Sequence, residues 1–368
     1  MRVAFFSGPI EYSICLANAL SDHCDVDFFY SEYYARQRDE RLLGVLDPRI
    51  GRVVTSRWRI RDPRNLFSFL GVARQLSKYD VIHTQIGEMW FSLWQPLFRN
   101  VPLVCTVHDP HSHFGHSNKG YTELLQRRNV RHAAHFIVHG EQLRQDLAEK
   151  HDLPLTDISV VKPGEFSFYR KLRTDATPAT TNGSAPRRIL FFGSIRKNKG
   201  LEYLIKAEPL ISKKTSNFKI VIAGNFQGEC EHYERLMTNR DRFEVIDAFI
   251  PVDQVADLFD SAYIVVLPYV TATQSGVLPL AFAFGKPVVA TDTGSIKEIL
   301  DHGRSGLLVP PRDEVALGEA IVDLLNDEER CLALGRQALH VAETELSWSK
   351  IAQDTVRIYE SVLAGSDR

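Results

Sequence analysis

The chain has 368 residues, 44% of them hydrophobic and 24% charged, with a formal net charge of −2. That length exceeds one core of ordinary size, so two domains are expected, and the composition excludes a disordered or membrane-spanning chain. With no global charge excess, any attraction to nucleic acid or to an acidic membrane has to be local. The five cysteines (Cys15, Cys24, Cys105, Cys230, Cys331) show no CxxC or Cys/His ligand spacing, which argues for reduced thiols in a cytosol. Met1 is followed at once by the strand-like RVAFFS, and neither an export signal nor a transmembrane helix is visible.

Along the first half, apolar strand runs alternate with periodic helices. Strand RVAFFS (2–7), helix IEYSICLANALSDH and strand VDFFY (26–30) are followed by a polar segment and VVT (53–55). Helix NLFSFLGVARQLSKY, strand DVIHT (80–84), helix EMWFSLWQPLF and strand PLVCTVH (102–108) come next. A helix over roughly 121–133, strand HFIVH (135–139), helix GEQLRQDLAEKH and strand ISVVK (158–162) complete the set. Such alternation predicts a parallel sheet covered on both faces, a doubly wound α/β domain.

From Arg173 to Arg187 the pattern stops in TDATPATTNGSAP, which reads as an exposed connector. It restarts with ILFFG (189–193), helix GLEYLIKAEPLI, FKIVIAG (218–224), a helix near 229–237, FEVI (243–246), helix PVDQVADLFDSA and YIVVLPY (263–269). The expected domains are therefore 1–170, a linker at 171–187 and 188–349, with ligands in the cleft between two strand-end faces. The tail LSWSKIAQDTVRIYESVLAG has near-helical apolar spacing and either caps the second domain or crosses back to the first.

The most informative stretch is YVTATQSGVLPLAFAFGKPVVATDTG (269–294): a strand end, a polar turn, an apolar helix broken at Gly285, and a second short strand. A helix starting on Ser275–Gly276 just after a strand offers unpaired N–H groups to an anion. In FFGSIRKNKGLEYLI a strand ends at Gly193 and the next loop carries Arg196, Lys197 and Lys199 before a helix opens at Gly200. Cations and helix start converging on one point suit a diphosphate. GxxxxGK[ST] is absent, and no GxGxxG follows the first strand, so a P-loop is excluded and a dinucleotide site disfavoured.

In the first half, His83 and His108 stand at strand ends, the former read as structural and the latter, followed by Asp109, as a hydrogen-bonding group for sugar hydroxyls. His111, His113 and His116 lack a completing carboxylate or cysteine at ligand spacing, so a polar substrate loop is preferred to a metal site. Two basic patches, Arg57, Arg59, Arg61 and Arg64 around Trp58, and Arg127, Arg128 and Arg131, read first as solvated faces. Their alternative is contact with an anionic membrane or an acceptor phosphate; no nucleic-acid module is present.

These motifs, with TVHD, HGEQLRQDLAEKHDL, ISVVKPGEFSFY, FIPVDQVADLFDSA, HGRSGLLVPP and LSWSKIAQDTVRIYE, resemble the family-4 retaining glycosyltransferases of GT-B fold over nearly the whole chain. The resemblance implies two Rossmann-like domains and a terminal helix crossing back to the first (350–368). It also implies a nucleoside diphosphate sugar donor held by the second domain, a glycan or lipid-linked acceptor held by the first, and no metal or other cofactor. By the same resemblance Lys199 binds the diphosphate, Arg196 replaces the arginine expected at Ser194, and His108 lies near the donor sugar. Ser275, Gly276 and Val277 receive the diphosphate, the segment at Phe249–Ile250 contacts the base, and Gly8, Gly193 and Asn225 line the donor site.

One departure lies within the stretch 269–294. The family's paired glutamates are replaced by Gln274 and by Leu280–Ala281, so neither supplies charge, a loss of about 3–4 kcal/mol if nothing compensates. The resemblance implies transfer of a hexose in cell-envelope or exopolysaccharide assembly, in the cytoplasm or at the inner face of its membrane. The missing carboxylates leave two rivals open: a non-catalytic GT-B protein that binds a nucleotide sugar or a partner, and a sugar-nucleotide epimerase, for which no acid/base pair is evident.

Overall fold

The computed structural model describes residues 1–38, 40–59, 62–85, 93–109, 130, 132–173 and 185–366. Most of the expected linker, the helix expected at 121–133, His111, His113, His116, Arg61 and the patch at Arg127, Arg128 and Arg131 lie outside the described residues. The chain forms two compact units, Met1–Gly164 with Ser347–Arg368, and Glu165–Leu346.

The first unit holds seven parallel strands: β1 (Arg2–Phe6), β2 (Asp25–Ser31), β3 (Gly51–Ser56), β4 (Val81–Thr84), β5 (Leu103–Thr106), β6 (His135–Val138) and β7 (Ile158–Val160). Their order is β3-β2-β1-β4-β5-β6-β7. The second unit has β8 (Arg187–Phe192), β9 (Phe218–Ala223), β10 (Phe243–Ile246), β11 (Ile264–Leu267), β12 (Val288–Thr291) and β13 (Gly306–Val309), in the order β10-β9-β8-β11-β12-β13. Both are doubly wound α/β sheets with the same reversal of strand order beside the first strand. Near-continuous apolar strands follow from burial on both faces. In β8, Ile189 and Phe191 enter one core cluster and Leu190 the other; in β11, Ile264 and Val266 oppose Val265 and Leu267.

The division falls after Gly164, not at residue 170, because Phe166 and Tyr169 pack on the second unit's core and the 3-10 turn Ser167–Leu172 lies along the helix Val252–Ser261. Arg173 then pairs with Asp257 at 2.8 Å and with Asp260. The terminal helix Trp348–Ser366 belongs to the first unit and packs on the helix Ile10–Leu20. Ile351, Ala352, Thr355, Tyr359 and Val362 form its buried stripe. Tyr359 Oη lies 2.5 Å from His83 Nδ1, and Thr106 Oγ1 lies 2.7 Å from His83 Nε2. His83 is thus a fully buried tie between sheet and terminal helix.

Several elements differ from the sequence expectation. The polar segment after β2 contains two short helices, Glu32–Arg38 and Glu40–Leu43. Beyond Gly294 the sheet gains β13 and the helices Glu314–Asn326 and Glu328–Thr344, for which no strand or helix was expected. Of the helix expected at 88–98, the described part shows Leu93 and Trp94 in α-helix, followed by the 3-10 turn Gln95–Leu97. The strands expected to end at His108 and His139 stop at Thr106 and Val138, which places both histidines in the turns beyond them.

Candidate functional site

In a doubly wound sheet the loops leaving the strands on either side of the reversal of order diverge and open a crevice. In the second unit these loops follow β8 and β11; in the first they follow β1 and β4. The sequence places Gly193–Lys199 and Pro268–Gly276 on the first pair, and Gly8 and Gln85 on the second.

In the second unit β8 ends at Phe192, and Gly193 turns the chain with φ +113°, its missing side chain facing Val277 Cγ2 at 3.7 Å. Gly224, at the end of β9, has φ +157°, and a Cβ there would lie 1.8 Å from the Gly193 carbonyl oxygen. The loop then makes a 3-10 turn, Lys197–Lys199, and reverses at Gly200 with φ +65°. A Cβ on Gly200 would lie 1.9 Å from the Pro268 carbonyl oxygen, so the basic loop seats directly on the segment leaving β11. The Val270 amide donates to the Asn198 carbonyl at 2.9 Å and ties the two together.

Lys199 Nζ stands 3.9 Å from the centre of the Tyr269 ring, a cation–π contact, and Tyr269 Oη is 3.1 Å from Ser275 Oγ. The Leu278 amide donates to the same Ser275 oxygen at 3.4 Å. The Ser275 hydroxyl therefore turns inward at the start of the following helix, and the residue is 6% exposed. Among the described residues the amides of Gly276 and Val277 have no partner. The helix Val277–Ala283 has only seven residues, so its start offers free amides more than a macrodipole. Arg196 is exposed, and no ion pair holds it or Lys199 among the described residues. The Lys199 ammonium is thus linked through Tyr269 and Ser275 to the helix start that carries these free amides, groups of a kind that suit a dianion.

Asn225 shapes its own turn, its side-chain oxygen accepting from the Gln227 amide at 2.7 Å and its carbonyl from Ile195 at 3.0 Å. Ile250 is buried in the core, whereas its neighbour Phe249 is 54% exposed. Gln274 is half-buried in the turn before the helix.

The first unit gathers a polar cluster at the ends of β1, β4, β5 and β6. The Gly8 amide donates to Ser13 Oγ at 3.0 Å. What Gly8 supplies is space: a Cβ there would lie 2.5 Å from Gln85 Cβ. Gln85, with no exposed surface, meets His108 Nε2 at 2.7 Å, and His108 Nδ1 meets His139 Nε2 at 3.0 Å. His139 Nδ1–H donates to the Val161 carbonyl at 2.8 Å. Tyr12 packs edge-on against His108, His139 and Trp348, with centroids 4.9, 5.2 and 5.3 Å away. A Cβ on Gly164 would fall within 2.4 Å of the Trp348 ring, so a glycine is required beneath it. Both ring nitrogens of His108 are occupied. Sequence reasoning found His108 but missed Gln85, His139, Tyr12 and Trp348; a histidine and a glutamine just past two predicted strands were the available signal.

Burial holds His83 at a pKa of about 3 and His139 at about 4, the latter against the opposing pull of its Val161 hydrogen bond. His108 is driven in the same direction by burial, then by the like charges of His139 and His83. All three are neutral in the folded protein at neutral pH. Because the folded pKa lies below the unfolded value of about 6.5, their contribution is complete above that pH and is lost as pH falls toward 4. Between pH 7 and 5, His83 and His139 are each expected to withdraw about 2 kcal/mol of stability. Urea unfolding at the two pH values checks this; equal midpoints would refute a neutral buried cluster.

The basic patch near Trp58 is partly neutralised. Arg57 lies 3.6 Å from Glu32, Arg64 pairs with Asp62 at 2.7 Å, and the Arg64 guanidinium covers the Trp58 ring at 4.6 Å. One turn further along the same helix Phe67 is 74% exposed. No described helix is long and apolar enough to cross a membrane.

Two family models match the chain: Glycosyltransferase Family 4 over residues 11–164 and Glycosyl transferases group 1 over residues 186–327. An uncharacterized glycosyltransferase of Methanocaldococcus jannaschii is 33% identical over 304 residues, covering 77% of this chain and 76% of that one. The D-inositol 3-phosphate glycosyltransferase of Corynebacterium glutamicum (strain R) is 26% identical over 336 residues, covering 83% and 79%. Among solved structures, Anabaena Alr3699/HepE in complex with UDP-glucose superposes with a TM-score of 0.72 at 19% identity, covering 98% of this chain and 100% of that one. Sheet order, phosphate-suited loop and both family matches agree: the chain is a glycosyltransferase of GT-B fold and belongs to family 4.

Proposed function

We propose that the protein is a retaining hexosyltransferase that takes a hexose from a nucleoside diphosphate sugar and passes it to a hydroxyl of a glycan or lipid-linked acceptor. The observation that carries this reading is Lys199, held over Tyr269 and connected through Ser275 to the amides of Gly276 and Val277, with no carboxylate partner for the lysine and no acceptor for the amides among the described residues. Charge develops on the leaving diphosphate, and these groups stabilise it there, where stabilisation lowers the barrier. The UDP-glucose complex of HepE supports a nucleotide sugar as donor.

Gln274 serves sugar hydroxyls in place of the missing carboxylate, and the leaving phosphate takes the proton of the incoming hydroxyl. The polar cluster of His108 serves the sugar side of the reaction. We propose that transfer needs no metal and that the enzyme works in the cytoplasm, in envelope or exported polysaccharide assembly. Trp58 under Arg64, with Phe67 exposed one turn on, supports an acceptor carried at an anionic membrane surface.

Calorimetry against a panel of UDP-, GDP- and dTDP-hexoses, followed by hydrolysis and transfer assays with EDTA present, tests the reading. One member is expected to bind and to turn over despite the chelator. Failure of every member to bind would refute the donor assignment. Binding without turnover in EDTA, restored by added Mg²⁺, would refute metal independence.

A further inference from the structure

We propose that His139 and Gln85 are positioning residues for His108: His139 accepts the hydrogen on His108 Nδ1, and the Gln85 side-chain amide donates to His108 Nε2. The Gln85 carbonyl oxygen is then the buried atom left without a partner.

Four groups in a chain, Val161, His139, His108 and Gln85, share a fixed number of protons. The chain starts at the Val161 carbonyl, which can only accept, so His139 Nδ1 carries a hydrogen. A neutral His139 has its lone pair on Nε2, which fixes the hydrogen of the next contact on His108 Nδ1. A neutral His108 then has its lone pair on Nε2 and requires a donor at the 2.7 Å contact with Gln85. Of the Gln85 amide, only the nitrogen donates. The oxygen faces His108 in the structure, but amide oxygen and nitrogen have nearly the same shape, and the hydrogen-bond network decides between them.

The opposite rotamer would need a second proton on one of two adjacent imidazoles, with His83 and Tyr12 the other titratable groups packed close by. A second line of reasoning agrees. With the oxygen toward His108, the Gln85 NH2 is buried without a partner among the described residues. Orphaned buried N–H groups are rarer than under-satisfied carbonyls, so turning the amide replaces the costlier orphan with the cheaper one.

This assignment leaves His108 with no N–H for a ligand and gives Gln85 the free acceptor. With Gln85 fully buried, that acceptor stays inside the cluster, and the tautomer does not depend on the transferase reading. Long-range ¹⁵N–¹H correlation of the substrate-free full chain at pH 7.5 measures it directly. The expected result is neutral His108 and His139, both protonated on Nδ1, with a scalar coupling across the hydrogen bond from Gln85 Nε2 to His108 Nε2. His108 protonated on Nε2, or present as an imidazolium, would overturn the proposal.

His139→Phe removes the acceptor and is expected to release His108 into a mixture of tautomers; His139→Gln restores the Nδ1–H form. An unchanged single tautomer in the phenylalanine variant would show that His139 only fills space. No substrate enters this experiment, so its failure is separate from failure of the donor panel.

Discussion

Lys199→Ala is expected to lower sugar transfer by about two to three orders of magnitude while leaving the fold intact. Among the described residues the lysine side chain meets the face of Tyr269, and a cation–π contact at a partly exposed site contributes only about 0.5–2 kcal/mol. Its loss is therefore small for stability. For catalysis it is large, because the ammonium meets the diphosphate as that group takes on negative charge in leaving. Lys199→Arg keeps the charge but replaces a compact ammonium by a planar fork, and is expected to recover part of the rate. Initial rates with the donor found by the panel, alongside thermal melting, separate the two effects. A Lys199→Ala enzyme with near wild-type turnover would remove the lysine from the mechanism.

Gly200→Ala is expected to harm both stability and rate. The residue has φ +65°, a conformation costing an L-residue about 1–2 kcal/mol, and the new methyl would sit 1.9 Å from the Pro268 carbonyl oxygen. Backbone has to move, so the total cost is about 3 kcal/mol or more. The displaced segment leads into Tyr269, so Lys199 loses its seat and transfer falls even below the melting temperature. Gly71→Ala is the control: it lies inside the helix Arg64–Leu76, nothing stands within 4 Å of its Cβ position, and the change should be neutral or slightly stabilising. Equal melting curves for Gly200→Ala and the wild type would contradict the packing described here.

Strand-by-strand alternation made the doubly wound architecture legible, because parallel strands buried on both faces leave continuous apolar runs such as Ile264–Leu267. The short helices after β2 were hidden, since Glu32–Arg38 is largely polar and presents no broad apolar stripe. The places of Gly193, Arg196, Lys199 and Gly276 just past a strand end or at a helix start could be read from position alone. The inward turn of the Ser275 hydroxyl could not, because it depends on Tyr269 packing beneath it. The first-unit cluster was the least legible. Gln85, His108 and His139 come from three separate strand ends, and only the strand order β1-β4-β5-β6 makes them neighbours.

The resting place of Lys199 has a consequence for selectivity. A cation held by a carboxylate must break an ion pair before it can greet a phosphate; one resting on an aromatic face keeps its charge unspent. In the proposed reading the loop therefore pulls on any nucleoside diphosphate alike, whatever base or sugar it bears. Discrimination would then fall to groups that do not anchor, such as the exposed Phe249 and the uncharged Gln274. Grip and choice would be divided between different side chains, so that donor preference could be rewritten in evolution without loosening the hold on the diphosphate.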